Sequence, residues 1–284
     1  MKNEAQLKEL VKEKYSEIAT QSKETNVSSC CGATGCGSND VYNIMADDYS
    51  KLDGYNPDAD LGLGCGLPTE FAKIKKGDTV IDLGSGAGND AFIARRITGE
   101  KGRVIGVDFT EAMIGKARAN ADKLNFSNVE FRLGDIDDMP VTSNKADVIV
   151  SNCVLNLVPN KHKVFSEIYR VLKPGGHFSI SDIVLQGELP AKWKQVAELY
   201  AGCVAGAIQK KEYLDIIAAA GFANIVLQKE KKIVIPDEIL DNYLTGEEVR
   251  QYKSGTVNIE SITVYAEKPS KDLRNCCDPG SGCC

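Results

Sequence analysis

Two sets of residues in this sequence could do chemistry: a glycine-rich run that begins just after an acid, and ten cysteines. The run is Val80-Ile81-Asp82-Leu83-Gly84-Ser85-Gly86-Ala87-Gly88-Asn89-Asp90. Apolar residues lead into Asp82, three alternate glycines follow, and a helix-like segment begins. That pattern predicts a strand, a tight turn and a helix start, with glycines where a Cβ would keep a ligand off the backbone. About twenty residues beyond Gly88 the chain reads as a second strand with Asp108 at its tip, and a carboxylate there can accept two hydrogen bonds from a ribose diol. The two together predict a nucleoside-binding αβ unit.

Six of the cysteines form three adjacent pairs, Cys30-Cys31, Cys276-Cys277 and Cys283-Cys284, while Cys36, Cys65, Cys153 and Cys203 stand apart. The first eight residues lack the apolar core of a signal peptide, and no apolar run approaches the length of a membrane span, so a cytoplasmic, reducing home is expected. Cysteine usage of this kind then points to soft-metal or redox chemistry more than to structural disulfides. With only two histidines, His162 and His177, no Cys–His spacing matches a structural zinc site. Any metal or metalloid is bound by sulfur alone. A net charge of −6 argues against a nucleic-acid partner held by phosphate neutralisation.

The elements that must position these residues follow from periodicity. With 284 residues and 43% hydrophobic content, the chain can bury a large core. Leu7, Leu10, Val11, Tyr15 and Ile18 share one face of a 3.6-residue period and predict an amphipathic helix packed on the main domain. Residues 20–40 read as a polar loop, 41–51 as a short helix, and 55–68 as an ordered loop carrying Cys65. Strands are predicted at 79–83, 103–108, 129–133, 146–152 and 177–183, with helices between them at 89–97, 111–124 and 162–172. That alternation means parallel strands with crossover helices. Lys173-Pro174-Gly175-Gly176 reads as a turn and cap closing the last of these helices. Beyond Asp182 the pattern changes: helices at 191–201, with Trp193, and at 210–220, then strands at 224–236 and 261–267, which belong either to the sheet or to a small added one. Residues 269–284 read as a polar tail.

Several motifs together resemble the class I S-adenosylmethionine-dependent methyltransferases. Asp82-Leu83-Gly84-Ser85-Gly86-Ala87-Gly88 departs from the dinucleotide pattern but is similar to their first motif. Asp108-Phe109-Thr110-Glu111-Ala112-Met113, Gly134-Asp135-Ile136, Asp147-Val148-Ile149-Val150-Ser151-Asn152 and Val171-Leu172-Lys173-Pro174-Gly175-Gly176 follow in order, covering about residues 77–183. The resemblance implies a Rossmann-like α/β fold, a parallel-rich seven-stranded sheet flanked by helices, with a smaller C-terminal α+β extension. It implies S-adenosylmethionine as cofactor. Asp82 and the backbone of Gly84, Gly86 and Gly88 would hold the methionine end, Asp108 the ribose hydroxyls, Met113 the adenine face, and Asp135 with Ile136 the adenine edge. Ser85 and Asn152 complete the implied set. Met113 could equally be a plain core methionine.

The isolated cysteines narrow the resemblance. Cys153 falls just past the fourth strand, at the carboxyl edge where open α/β sheets bind ligands. Cys203 falls in the added segment and Cys65 in the glycine-rich loop. This triple, with Cys30-Cys31 upstream, looks like the arsenite methyltransferases over about residues 28–268. The resemblance implies arsenic(III) held by Cys65, Cys153 and Cys203, and a redox disulfide between Cys65 and the Cys30-Cys31 pair, Cys31 being favoured. Three thiolates leave trivalent arsenic a lone pair that can attack a methyl group directly, so no proton need leave the nucleophile and no general base is required. Soft metals prefer sulfur in the same way. Alignment of that kind can supply up to about 7–11 kcal/mol of a barrier. A disulfide would return two electrons to the oxidised arsenic, and a thiol reductant such as thioredoxin or glutathione would reopen it.

The expected partners are arsenite or its glutathione conjugate and that reductant, with no nucleic acid, no membrane, and a monomeric chain. The expected organisation is an N-terminal helix and Cys-rich loop (1–40), a cofactor-binding domain (41–183), a metalloid-binding extension (184–268) and a Cys-rich tail (269–284). Two other readings share parts of this pattern. One is a C-, O- or N-methyltransferase of an organic molecule, with Trp193 and Tyr200 lining the pocket and cysteine acting as a small buried hydrophobe. The other is a non-catalytic thiol buffer, which would have no use for the Asp82–Gly88 run.

Overall fold

The computed structural model describes residues 4–20, 47–188, 204, 206–233, 241, 245–253 and 258–270. One seven-stranded sheet organises them, in the order β3-β2-β1-β4-β5-β7-β6. Its strands are β1 (Thr79–Leu83), β2 (Arg103–Asp108), β3 (Val129–Leu133), β4 (Ala146–Asn152), β5 (Leu172–Gln186), β6 (Ala223–Ile233) and β7 (Asn258–Glu267). The first five are mutually parallel. β7 enters antiparallel between β5 and β6. The two strands expected after residue 223 therefore complete the main sheet and do not form a separate one.

The central strands are apolar on both faces because helices cover both. On one face Ile81, Leu83, Ile149 and Phe178 pack with Val164, Phe165 and Ile168 of α5 (Lys161–Val171) and with Tyr213 and Ile217 of α6 (Lys210–Ala219). On the other, Val80, Val104, Val148 and Val150 meet Ala91, Phe92 and Ala94 of α3 (Asn89–Thr98) and Met113, Ile114 and Ala117 of α4 (Glu111–Lys123). Ile18 and Ala19 of α1 (Glu4–Thr20) join the same cluster. The short α2 (Pro68–Phe71) starts on a proline, whose missing N–H has no partner to lose in a first turn. A further helix, α7 (Gly246–Lys253), precedes β7.

Lys173–Gly176 is not the turn its composition suggests. Helix α5 runs directly into β5, and the Pro-Gly-Gly segment is a bulge inside that strand, where the pairing register with β4 shifts. Gly175, at φ +82°, donates its N–H to the Lys268 carbonyl at 2.8 Å, and the Lys268 N–H bonds the Gly176 carbonyl at 2.8 Å. Pro174 gives up only one donor, so the strand continues past it. The helix expected at 41–51 is absent from residues 47–51, which form extended chain and a turn; 41–46 and the helix expected at 191–201 lie outside the described residues. Among the described residues no helix is long and apolar enough to cross a membrane.

Candidate functional site

Strand order reverses between β1 and β4, and open α/β sheets take ligands outside the carboxyl ends of their strands at such a point. A cleft with about 770 Å³ of empty space, part of it open to solvent, lies there. The turn after β1 forms its floor. The N–H groups of Gly84 and Ser85 bond the Val107 carbonyl, at 2.7 and 3.1 Å, which ties the turn to β2. A Cβ on Gly84 would collide with the Val154 side chain, whereas one on Gly86 would meet only the Met113 sulfur, at 4.0 Å. The space above Gly86 is thus left for a ligand. Gly88, at φ +102°, caps α3.

Three carboxylates crowd this floor. Asp82, Asp90 and Asp108 are all buried. Burial, then the Asp90 and Asp108 charges, push Asp82 well above the usual carboxylate range. Burial takes Asp90 up to about 6, against hydrogen bonds from Tyr49, Asn152 and Thr69. Burial also raises Asp108, though its oxygens accept the N–H of Thr110 at 2.8 Å and of Gly86 at 3.0 Å. Among the described residues Asp82 Oδ2, Ser85 Oγ and Asn89 Oδ1 are buried without a hydrogen-bond partner, and all three residues line the cleft. A buried acidic cluster with orphaned acceptors suits a cationic ligand bearing an ammonium and hydroxyls. Met113 also lines the cleft; Ile136 and Asp135 line an adjoining pocket with Phe109, Leu157, and Lys8 and Val11 of α1.

Cys153, the residue after β4, lines the cleft and sits in the left-handed region at φ +59°. Its N–H donates to the Ser181 carbonyl at 2.8 Å. It is disulfide-bonded to Cys65, 88 residues earlier, with Cα atoms 5.8 Å apart. Both cysteines are buried. The Cys65 loop is held from two sides. The Cys65 N–H donates to Asn152 Oδ1 at 2.9 Å, and the Ser261 hydroxyl donates to the Cys65 carbonyl at 2.6 Å.

The structure therefore gathers Asp82, Gly84, Ser85, Gly86, Asp108, Met113, Asn152 and Cys153 around one cleft, with Cys65 joined to it. Cys31 and Cys203 lie outside the described residues, as do Cys30, Cys36, Trp193, Tyr200 and the four tail cysteines. Cys65 is bonded to Cys153, with the Asn152 carboxamide accepting the Cys65 N–H at the end of β4; Cys31, the partner the resemblance implies for Cys65, lies outside the described residues. Sequence reasoning missed Tyr49, whose single hydroxyl proton faces two acceptors, Asp90 Oδ2 at 2.9 Å and the Gly66 carbonyl at 3.0 Å. It also missed Asp60 and Leu61, which line the cleft from the loop before Cys65. No local pattern marks residues that reach a site from so far along the chain. Asn89 and Asp90, which close the glycine-rich run, were also left out of the expected site although they line the cleft.

A seven-stranded sheet with β7 antiparallel between β5 and β6, reversed at β1/β4 over a glycine turn and buried acids, matches the fold of class I S-adenosylmethionine-dependent methyltransferases. A family model described as "Methyltransferase domain" matches residues 74–221. The chain is 38% identical over 277 residues to the arsenite methyltransferase of Halobacterium salinarum, spanning 93% of this chain and 67% of that protein. It is 35% identical to the human arsenite methyltransferase over 64% of this chain, and spans half the length of that relative. Among solved structures, the arsenic(III) S-adenosylmethionine methyltransferase of Chlamydomonas reinhardtii superposes with a TM-score of 0.62 at 32% identity, over 81% of this chain and 73% of that one. The chain belongs to the arsenite methyltransferase family.

Proposed function

We propose that this protein methylates trivalent arsenic, taken as arsenite or a thiol conjugate of it, and so serves arsenic detoxification. The observation that carries this is the meeting of Cys65 and Cys153, 88 residues apart in sequence, at the wall of the cofactor cleft. S-adenosylmethionine, when bound, supplies a methyl group made electrophilic by its sulfonium. The chain would hold it through Asp82, Ser85 and Asn89 at the amino-acid end, Asp108 at the ribose, and Met113, Asp135 and Ile136 around the base. The orphaned oxygens and the acidic floor support that assignment.

In the reduced protein Cys65 and Cys153, with Cys203 as third ligand, present thiolates to arsenic(III) and leave its lone pair unshared. These residues need only orient a nucleophile and exclude water, which is consistent with a cleft that is lined, among the described residues, by carboxylates, tyrosines and Cys153 and by no histidine. Methyl transfer takes the arsenic to the pentavalent state. Closing Cys65 and Cys153 to a disulfide releases two arsenic–sulfur bonds and returns two electrons to arsenic. A cellular dithiol or glutathione then reduces the disulfide.

Incubating the protein with cofactor, arsenite and a thiol, followed by speciation of arsenic, tests the proposal. Methylated arsenic is expected from the wild-type protein, and its loss in Cys153→Ser with S-adenosylhomocysteine binding retained. A wild-type protein that binds the cofactor yet leaves arsenite unmethylated would refute it.

A further inference from the structure

Asn152 is the last residue of β4, and Cys153 follows it directly. Its carboxamide is saturated by contacts that have nothing to do with strand pairing. Oδ1 accepts the Cys65 N–H at 2.9 Å, and Nδ2 donates to the Gly66 carbonyl at 2.8 Å. The same nitrogen reaches Asp90 Oδ2 at 3.3 Å and the Tyr49 hydroxyl, which itself donates to Asp90 at 2.9 Å. The loop is fitted to this side chain: a Cβ on Gly64 would lie 2.6 Å from Asn152 Nδ2. On the far side, Ser261 of β7 holds the Cys65 carbonyl at 2.6 Å. One residue therefore carries the second sulfur on its chain neighbour and grips the first sulfur's loop with its side chain. A carboxamide, with an acceptor oxygen and a donor nitrogen on one planar group, can accept from one backbone group of that loop and donate to the next.

We infer that Asn152 is a positioning residue: its carboxamide, assisted by Ser261, holds the Cys65 loop against Cys153 and so sets how readily the two sulfurs act together. The same carboxamide rests on the Tyr49–Asp90 pair in the cleft wall, which links the thiol loop to the cofactor side. The inference gives a purpose to the proposed arsenic chemistry, which needs Cys65 and Cys153 at one atom, and rests on that proposal only for its biological meaning.

The test is the closing equilibrium of the two thiols in the full-length protein. In a glutathione redox buffer, Cys65 and Cys153 lose two electrons and two protons as their disulfide forms, and one glutathione disulfide becomes two glutathione thiols. The closed fraction is read by trapping free thiols and mapping the peptides that hold Cys65 and Cys153. Asn152→Ala should lower the closing constant about tenfold and Ser261→Ala about fivefold, the size expected for the loss of one or two hydrogen bonds to the loop. Thr98→Ala is the comparison. Thr98 is buried and its hydroxyl donates to the Asp78 carbonyl at 2.7 Å, at the opposite end of β1. It should lose comparable thermal stability and keep the wild-type closing constant. A wild-type constant in Asn152→Ala, or an equal fall in Thr98→Ala, overturns the inference. If Asn152→Ala fails to fold, Ser261→Ala decides on the same terms. No arsenic enters this measurement, so a wild-type protein that fails to bind arsenite would refute the proposed function and leave the role of Asn152 standing on its own result.

Discussion

Gly86 and Gly88 differ by two positions, and both have positive φ, yet a methyl group added to each meets different surroundings. At Gly86, φ is +50° and the nearest atom to an added Cβ is the Met113 sulfur at 4.0 Å. An alanine there adopts the left-handed region at a cost of about 1–2 kcal/mol, with no clash inside the protein. Gly86→Ala should therefore fold with a small loss in urea midpoint, while affinity for S-adenosylhomocysteine, measured by calorimetry, falls about tenfold or more as the methyl overpacks the ligand space. At Gly88, φ is +102° and an added Cβ would lie 2.7 Å from the Phe92 ring. Gly88→Ala should cost about 2–3 kcal/mol of folding stability through that clash. Unchanged affinity in Gly86→Ala would mean that the space over Gly86 is not the ligand's. Cys153 carries its own strain, at φ +59°. For a cysteine this is an uncommon backbone state, of a kind that clusters at functional sites, and here it falls on a sulfur at the cleft wall.

Helix α1 lies over the adjoining pocket, with Val11 buried and Lys8 bridging to Asp137 at 3.1 Å and Asp135 at 3.5 Å. Val11→Ala removes buried apolar surface worth about 1.5 kcal/mol. Because that surface belongs to a terminal helix over the pocket, its loss should appear first as faster amide exchange across residues 4–20 and faster release of S-adenosylhomocysteine, with the global melting temperature nearly unmoved. An unchanged release rate would detach α1 from the cofactor. The amphipathic stripe of α1 was legible from its period; its seat over the cleft was not, because periodicity gives a face and not a destination. The same distinction runs through the molecule. Strands β1 to β5 and the helices between them announced themselves by alternation and by acids at strand tips. Lys173–Gly176 misled, since proline and glycine mark both turns and bulges, and only the pairing with β4 and β7 decides which. The roles of Tyr49 and Ser261 depend on contacts across much of the chain, which no local pattern encodes. Cys65 and Cys153 were legible as a pair of sulfurs sharing a site. The disulfide between them was not legible, because it joins positions 88 residues apart.

At the scale of the whole molecule, a second buried carboxylate centre lies outside the cleft. Asp182 on β5 is fully buried beneath α5 and α6. It accepts hydrogen bonds from Asn156 Nδ2 at 2.8 Å, its neighbour's Ile183 N–H at 3.0 Å and the Tyr213 hydroxyl at 3.3 Å. Burial pushes it up to about 7, against the Lys161 charge and those hydrogen bonds. The sign of its effect on folding follows. Unfolded, the group titrates near its ordinary 3.8; folded, it keeps its proton to about 7. Between those values the native state binds the extra proton, so the stability Asp182 contributes is full below the lower value and is lost as pH rises through the upper one. The total difference is on the order of 4 kcal/mol at about 1.4 kcal/mol per unit. Asp182→Asn keeps an acceptor for Asn156 and Ile183 and does not titrate. Urea unfolding of the ligand-free wild type and variant at pH 5 and pH 8 should show the variant gaining relative stability as pH rises, by at least about 1 kcal/mol. Parallel pH curves would mean that Asp182 is ionised in the native state throughout and is held so by Lys161. The ligand-free state isolates this term, because the cleft acids Asp82, Asp90 and Asp108 are common to both proteins and cancel in the comparison.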